Sequence, residues 1–98
     1  MIKIFKSYIS YFKKKKEIFL INSDEDKDFV ISLIEDHKLI AIDTEFEWRR
    51  TYYPILSLIQ IATKKNIFLI DCVNCKNLGW LKNILENKKK LIIFHSVR

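Results

Sequence analysis

The chain has 98 residues, a net charge of +6 at pH 7 and 49% hydrophobic residues. That length holds one small domain, able to bury roughly 60–65% of its unfolded surface, and the apolar content excludes a chain disordered throughout. No run approaches the ~18 consecutive apolar residues of a membrane-spanning helix, and no unbroken apolar stretch with a small-residue cleavage site marks a signal peptide.

The charge is unevenly placed. Residues 1–16 hold Lys3, Lys6 and Lys13 to Lys16 and no acid, which leaves twelve basic and twelve acidic side chains in residues 17–98. The first 16 residues therefore read as a basic N-terminal extension to a domain at 17–98. Ile2, Phe5, Ile9 and Phe12 fall at helical spacing and make one apolar stripe flanked by lysines. Three readings stay open for it. It is a solvated extension, a segment drawn to polynucleotide phosphates with Phe5, Tyr8, Tyr11 and Phe12 free to stack, or one adsorbed to an anionic membrane surface.

Glu17 to Ile21 is a short strand. Ser23 reads as an N-cap with Asp24, Glu25 and Asp26 in the first turn, where free N–H groups favour anions. Phe29, Val30, Leu33, Ile34 and His37 then share one side of a helix, and His37 reads as the cation at its C-terminal dipole. Lys38 to Glu45 is a strand whose residues 39–42 are apolar on both faces, the mark of an interior strand. Glu47 to Pro54 is a polar-aromatic connection. Leu56 to Ala62 and Ile67 to Asp71 are strands joined by a tight Lys64-Lys65-Asn66 turn, so they pair antiparallel. Gln60, polar in an apolar strand, reads as the partner of a buried group. Asn77 reads as the cap of a helix carrying Leu78, Leu81, Ile84 and Leu85, which ends in Lys88 to Lys90. Leu91 to Phe94 returns as a strand, made parallel by the helical crossover. The class is α/β with a mixed sheet.

The chemistry concentrates at Asp43 and Glu45. Residues i and i+2 of a strand share a face, so the two carboxylates point together and Thr44 points away. Carboxylates at the end of a core strand are costly to desolvate without a cation, and hard oxygen donors suit Mg²⁺ or Mn²⁺. The plain alternative is a pair of solvated loop acids. Cys72 and Cys75 form a lone C-x-x-C between a strand and a helix. A redox pair and a zinc site completed by His37 and His95 both lack supporting spacing, and ordinary reduced thiols in a cytoplasmic protein are the reading adopted.

Asp43-Thr44-Glu45-Phe46, Arg50-Thr51-Tyr52-Tyr53-Pro54, Leu58-Ile59-Gln60-Ile61-Ala62 and Leu69-Ile70-Asp71 together resemble the start of ribonuclease D. That enzyme is a 3′–5′ exonuclease of the DEDD superfamily with a ribonuclease H-like fold, and the likeness runs from Leu39 to His95. Trp48 stands where the family often has a basic residue, although Arg49 and Arg50 keep the stretch cationic.

The resemblance implies two divalent metal ions, Mg²⁺ or Mn²⁺, held by four acids, of which Asp43 and Glu45 match the first pair. It implies an RNA 3′ end as substrate, tRNA precursors among them. Thr44, Phe46, Arg50, Tyr52 and His95 would be the substrate contacts, and Asp71 would belong to a structural turn. The second acidic motif should come shortly after His95 and the third later still, so the 98 residues read as a truncated ribonuclease H-like sheet, the N-terminal half of the domain. Inactivity alone is expected, with an exposed Leu91–Phe94 edge that invites self-association or a complementing C-terminal chain. The alternative is a non-catalytic nucleic-acid-binding remnant that relies on the basic N-terminus.

Overall fold

The structure is a computed structural model that describes residues 16–47 and 55–97. Its elements in chain order are β1 (Glu17–Ile21), a 3-10 turn (Asp24–Asp26), α1 (Lys27–Ile34), β2 (Leu39–Glu47), β3 (Ile55–Ala62), β4 (Asn66–Asp71), α2 (Gly79–Leu85) and β5 (Leu91–Val97). The five strands form one mixed sheet in the order β1-β4-β3-β2-β5. β2, β3 and β4 are an antiparallel meander, while β1 runs parallel to β4 and β5 parallel to β2. The mixed sheet, the interior position of β2 and the parallel return of β5 agree with the sequence reading. β2 and β5 extend beyond the expected ends at Glu45 and Phe94, because β2 pairs with β3 through Phe46 and Glu47 and β5 pairs with β2 through Val97.

Connectivity explains why the sheet is covered on one side. The crossovers β1–α1–β2 and β4–α2–β5 travel the same way across the sheet. Parallel crossovers share one hand, so two that travel the same way place their helices on the same face. Both helices accordingly share a core: Val30 and Ile34 from α1, Leu81 and Ile84 from α2, and Ile40, Ile42, Ile59, Ile61, Phe68 and Ile70 from the sheet. Phe68 lies at its centre, stacked 5.7 Å from Phe19 and 6.5 Å edge-on from Phe29. The opposite face carries Ile18 and Leu20, 64% and 65% exposed, and Leu91, 60% exposed.

Local signals govern the turns. The Ser23 hydroxyl accepts from Glu25 N at 3.2 Å, as an N-cap should, although the turn it opens is 3-10 before it becomes α1. Thr63, fully buried, closes the β3–β4 turn by accepting the N–H groups of Lys65 and Asn66 at 3.2 and 3.0 Å.

Two expectations need correction. Asn77 does not cap α2: Leu78 holds the N-cap position without a side-chain bond. The N–H groups of Lys76 and Asn77 donate instead to the Asp24 carboxylate at 3.3 and 3.1 Å, which ties this segment to the start of α1. Nor is His37 the cation at the end of α1. Burial pushes its pKa down, and Lys65 and Lys90 push it further. Lys90 takes that role, donating from Nζ to the carbonyls of Ile34, Glu35 and His37 at 3.2, 2.9 and 2.6 Å.

Candidate active site

The site grows from β2, flanked by β3 and β5. Ile40, Ile42 and Thr44 face the helices, at 0%, 1% and 6% exposure, and strand alternation sends Asp43 and Glu45 to the open face. Asp43 lies in register with Gln60 on β3 and His95 on β5. Register partners share a face, so the half-buried His95 and Gln60 stand beside Asp43.

Asp43 Oδ1 is fully buried and has no hydrogen-bond partner. Such an orphaned acceptor costs about 1–3 kcal/mol, more when charged, and is what a carboxylate awaiting a cation looks like. Glu45, one step further along the face, is exposed. Hard oxygens on one face, one of them unsatisfied, fit an oxygen-preferring divalent ion as half of a ligand set. Among the described residues no group of three or more His, Cys, Asp or Glu side chains is arranged to hold a metal.

A β-bulge falls at the pair. The β2–β3 register shifts between Glu45 and Phe46, leaving Ser57 without a Cα partner. Its hydroxyl donates to the Glu45 carbonyl at 3.1 Å, and its own carbonyl accepts from Cys72 N at 3.0 Å. Bulges re-aim side chains at sheet ends, and this one pins the backbone of the second acid. Sequence reading overlooked Ser57; its signal was a lone hydroxyl in the apolar run Ile55 to Ile59.

The remaining candidates fall in different places. Thr44 is buried among the helix-facing residues. Phe46, 41% exposed, alternates to the face opposite the acids. Arg50 and Tyr52, like residues 1–15, lie outside the described residues. Asp71 is occupied as a turn residue, accepting from Val73 N at 2.9 Å and Asn74 Nδ2 at 2.8 Å.

The cysteines are unbridged, and Cys75 belongs to the core. Burial pushes both thiols up, with nearby Asp24 and Asp71 adding to it at Cys75. This is the reverse of an activated thiol, and the redox reading is dropped.

Residues 18–98 match the profile of the 3′–5′ exonuclease family, and the chain belongs to it. Within the family it is ribonuclease D-like, with a ribonuclease H-like fold. Ribonuclease D of Desulfotalea psychrophila is 35% identical over 81 residues, covering 82% of this chain and 22% of that protein. The crystal structure of Escherichia coli RNase D is 30% identical with a TM-score of 0.71, covering 84% of this chain and 21% of that one. The catalytic core of RRP6 from Trypanosoma brucei shares the fold, with a TM-score of 0.77 at 21% identity over 83% of this chain and 23% of that one. The chain thus spans about a fifth of the length of the curated relatives it matches.

Proposed function

We propose that this chain supplies the first acidic pair of a metal-dependent 3′–5′ exoribonuclease, with Asp43 and Glu45 holding two Mg²⁺ or Mn²⁺ ions together with acids that the described residues do not contain. The buried, unpartnered Asp43 Oδ1 beside an exposed Glu45 carries this reading. When bound, divalent ions supply charge stabilisation at a phosphoryl oxygen and a water of lowered pKa. The chain's own part is to fix two carboxylates on an interior strand and to lay His95 alongside them, where it contacts the substrate. Thr44 and Phe46 contribute backbone at the last nucleotide, and Arg50 and Tyr52 follow on the connection to β3.

RNA is the proposed substrate, including structured RNA such as tRNA precursors. The support is the Escherichia coli relative, which is described as an exoribonuclease involved in structured RNA processing. Cytoplasmic residence is proposed with it; among the described residues no helix is long and apolar enough to cross a membrane.

The 98 residues by themselves are proposed to be inactive. Two carboxylates leave Mg²⁺ largely hydrated and weakly held. β5 is an edge strand, with Leu91 and Phe94 exposed at 60% and 57%. It offers unpaired backbone to a complementing C-terminal chain or to a second copy.

Titration with Mn²⁺, read by electron paramagnetic resonance, tests the site. Weak binding that disappears in Asp43→Asn, with unchanged circular dichroism, supports it; binding indifferent to that change rejects it. Metal-dependent trimming of a 3′-labelled RNA by the purified chain rejects the proposed inactivity. The second reading, a non-catalytic RNA-binding remnant, is favoured by the +6 charge; it requires salt-dependent RNA affinity unmoved by chelator or by Asp43→Asn.

A further inference from the structure

Residues 17–98 carry twelve basic and twelve acidic side chains, yet the fold sorts them by sign. β1, β4, β2 and β5 all begin at one end of the sheet, where β3 finishes. The segments that start these strands are rich in lysine. Lys38 precedes β2, Lys64 and Lys65 join β3 to β4, and Lys88 to Lys90 precede β5. Backbone bonds draw these segments together: Leu91 N donates to the Lys38 carbonyl at 2.7 Å and Glu17 N to the Lys65 carbonyl at 3.3 Å. The opposite end holds Asp24 to Asp26 after β1, Asp71 on β4, and Glu45 and Glu47 on β2.

Two lysines of this rim are engaged with backbone, Lys90 with the carbonyls that end α1 and Lys16 Nζ with the Thr63 carbonyl at 3.0 Å. Their charges stay in place. The other five, Lys38, Lys64, Lys65, Lys88 and Lys89, are exposed and make no ion pair among the described residues. The acids described at this end, Glu17, Glu35 and Asp36, are too few to neutralise seven lysines. His37 senses the excess: burial lowers its pKa, Lys65, Lys90 and Lys64 lower it further, and Asp36 offsets only part.

We propose that this lysine rim is a binding surface for the phosphates of a single polynucleotide strand, separate from the acid pair. β4 and β5 lie three strand spacings apart, so the rim runs for roughly 14 Å, about four phosphates at ~3.4 Å each along one stacked strand. Lys38 stands seven residues before Glu45, roughly 23 Å along β2, so the two sites do not overlap. The acidic opposite end repels the same ligand, which confines it to the rim. An anionic membrane surface fits less well, because adsorption also takes apolar side chains beside the lysines. The exposed aromatics Phe29, Phe46 and Phe94 lie in the first turn of α1, at the far end of β2 and inside β5. The proposal does not depend on the nuclease reading: it needs phosphates at the rim, not their cleavage.

Salt-dependent binding of a fluorescently labelled oligouridylate to the 98-residue chain, measured in chelator, tests it. Chelator removes any metal at Asp43, so failure here is separate from failure of the Mn²⁺ titration. The rim variant Lys64→Gln, Lys65→Gln, Lys89→Gln is compared with Lys27→Gln, Lys76→Gln, Lys82→Gln, which removes the same charge away from the rim. The rim variant is expected to flatten the slope of log K against log salt by about 2, three lost contacts at ~0.7 each. The charge-matched variant is expected to flatten it by less than half as much. Flattening of half or more by the charge-matched variant overturns the proposal, because net charge alone would then explain the affinity. So does an unchanged slope in the rim variant, or an unaltered chain that shows no salt-dependent binding. A larger loss on phosphatidylserine vesicles than on the oligonucleotide also overturns it and assigns the rim to a membrane. All six positions are exposed, and circular dichroism checks that the fold survives. If the rim variant unfolds, Lys38→Gln with Lys88→Gln replaces it, beside Lys27→Gln with Lys76→Gln. The expected flattening is then about 1.4, and the same outcomes overturn the proposal.

Discussion

The two faces of this sheet differ in how they satisfy their side chains. On the helix-covered face Val30, Ile34, Ile40, Ile61, Phe68 and Ile70 have no solvent exposure, and the lone polar member from β2, Thr44, is buried there too. On the open face a carboxylate oxygen is buried with nothing to bond. The first face is arranged for stability. The second keeps an unmet electrostatic demand, which is how binding sites differ from cores.

The largest expected effect falls on the closed face. Phe68→Ala removes the ring shared by Phe19 and Phe29 and should lower stability by about 3–5 kcal/mol, a large share of the roughly 5–15 kcal/mol that holds a domain together. A denaturant midpoint close to the parent's would show that the aromatic cluster is not the centre of the core. Lys90→Met comes next. It keeps the apolar stem but removes the charged donor from the carbonyls of Ile34, Glu35 and His37, of which Ile34 keeps its bond from His37 N at 3.0 Å, at about 1.5–3 kcal/mol for bonds to a charged donor; the loss should show as a lower melting temperature.

The open face should respond with the opposite sign. Asp43→Asn removes the orphaned charge, so stability should hold or rise by up to about 1–2 kcal/mol while Mn²⁺ binding is lost. A clear destabilisation would mean that Asp43 has a structural partner, and the contrast between the faces would fail.

Thiol ionisation provides a smaller test. Burial raises the Cys72 and Cys75 pKa values in the folded chain. The stabilisation from keeping these thiols neutral is therefore fully present below the ordinary thiol pKa of about 8.5 and is lost as pH rises through the folded values. Cys75 should resist iodoacetamide at pH 7 until the chain is unfolded, and rapid labelling would contradict its place in the core. The smallest effect belongs to the Lys82–Glu86 pair, 3.8 Å apart with side chains 74% and 64% exposed. Lys82→Ala should shift stability by no more than about 0.5 kcal/mol.

Much of the site was legible because it is local. Alternation alone placed Asp43 and Glu45 together with Thr44 opposed, and apolar residues on both faces of Leu39 to Ile42 marked an interior strand. Short connections between Leu56 and Asp71 foretold the antiparallel pairing. Ser23 was readable as a cap because its partner, Glu25, lies two residues away.

What failed was the long-range bookkeeping of backbone groups. Asn77 and His37 have the right residue types at the right helix ends, yet Asp24 accepts the N–H of Asn77 and Lys90 donates to the His37 carbonyl, each bond spanning over 50 residues of sequence. Periodicity and spacing act over a few residues, so by itself the chain determined its elements and which side of β2 bears the acids. Which face the helices cover depends on the direction in which each crossover traverses the sheet, and the isolation of Asp43 Oδ1 depends on neighbours contributed by other strands. Only the assembled tertiary structure decides these, because strand order and burial are properties of contacts between distant segments.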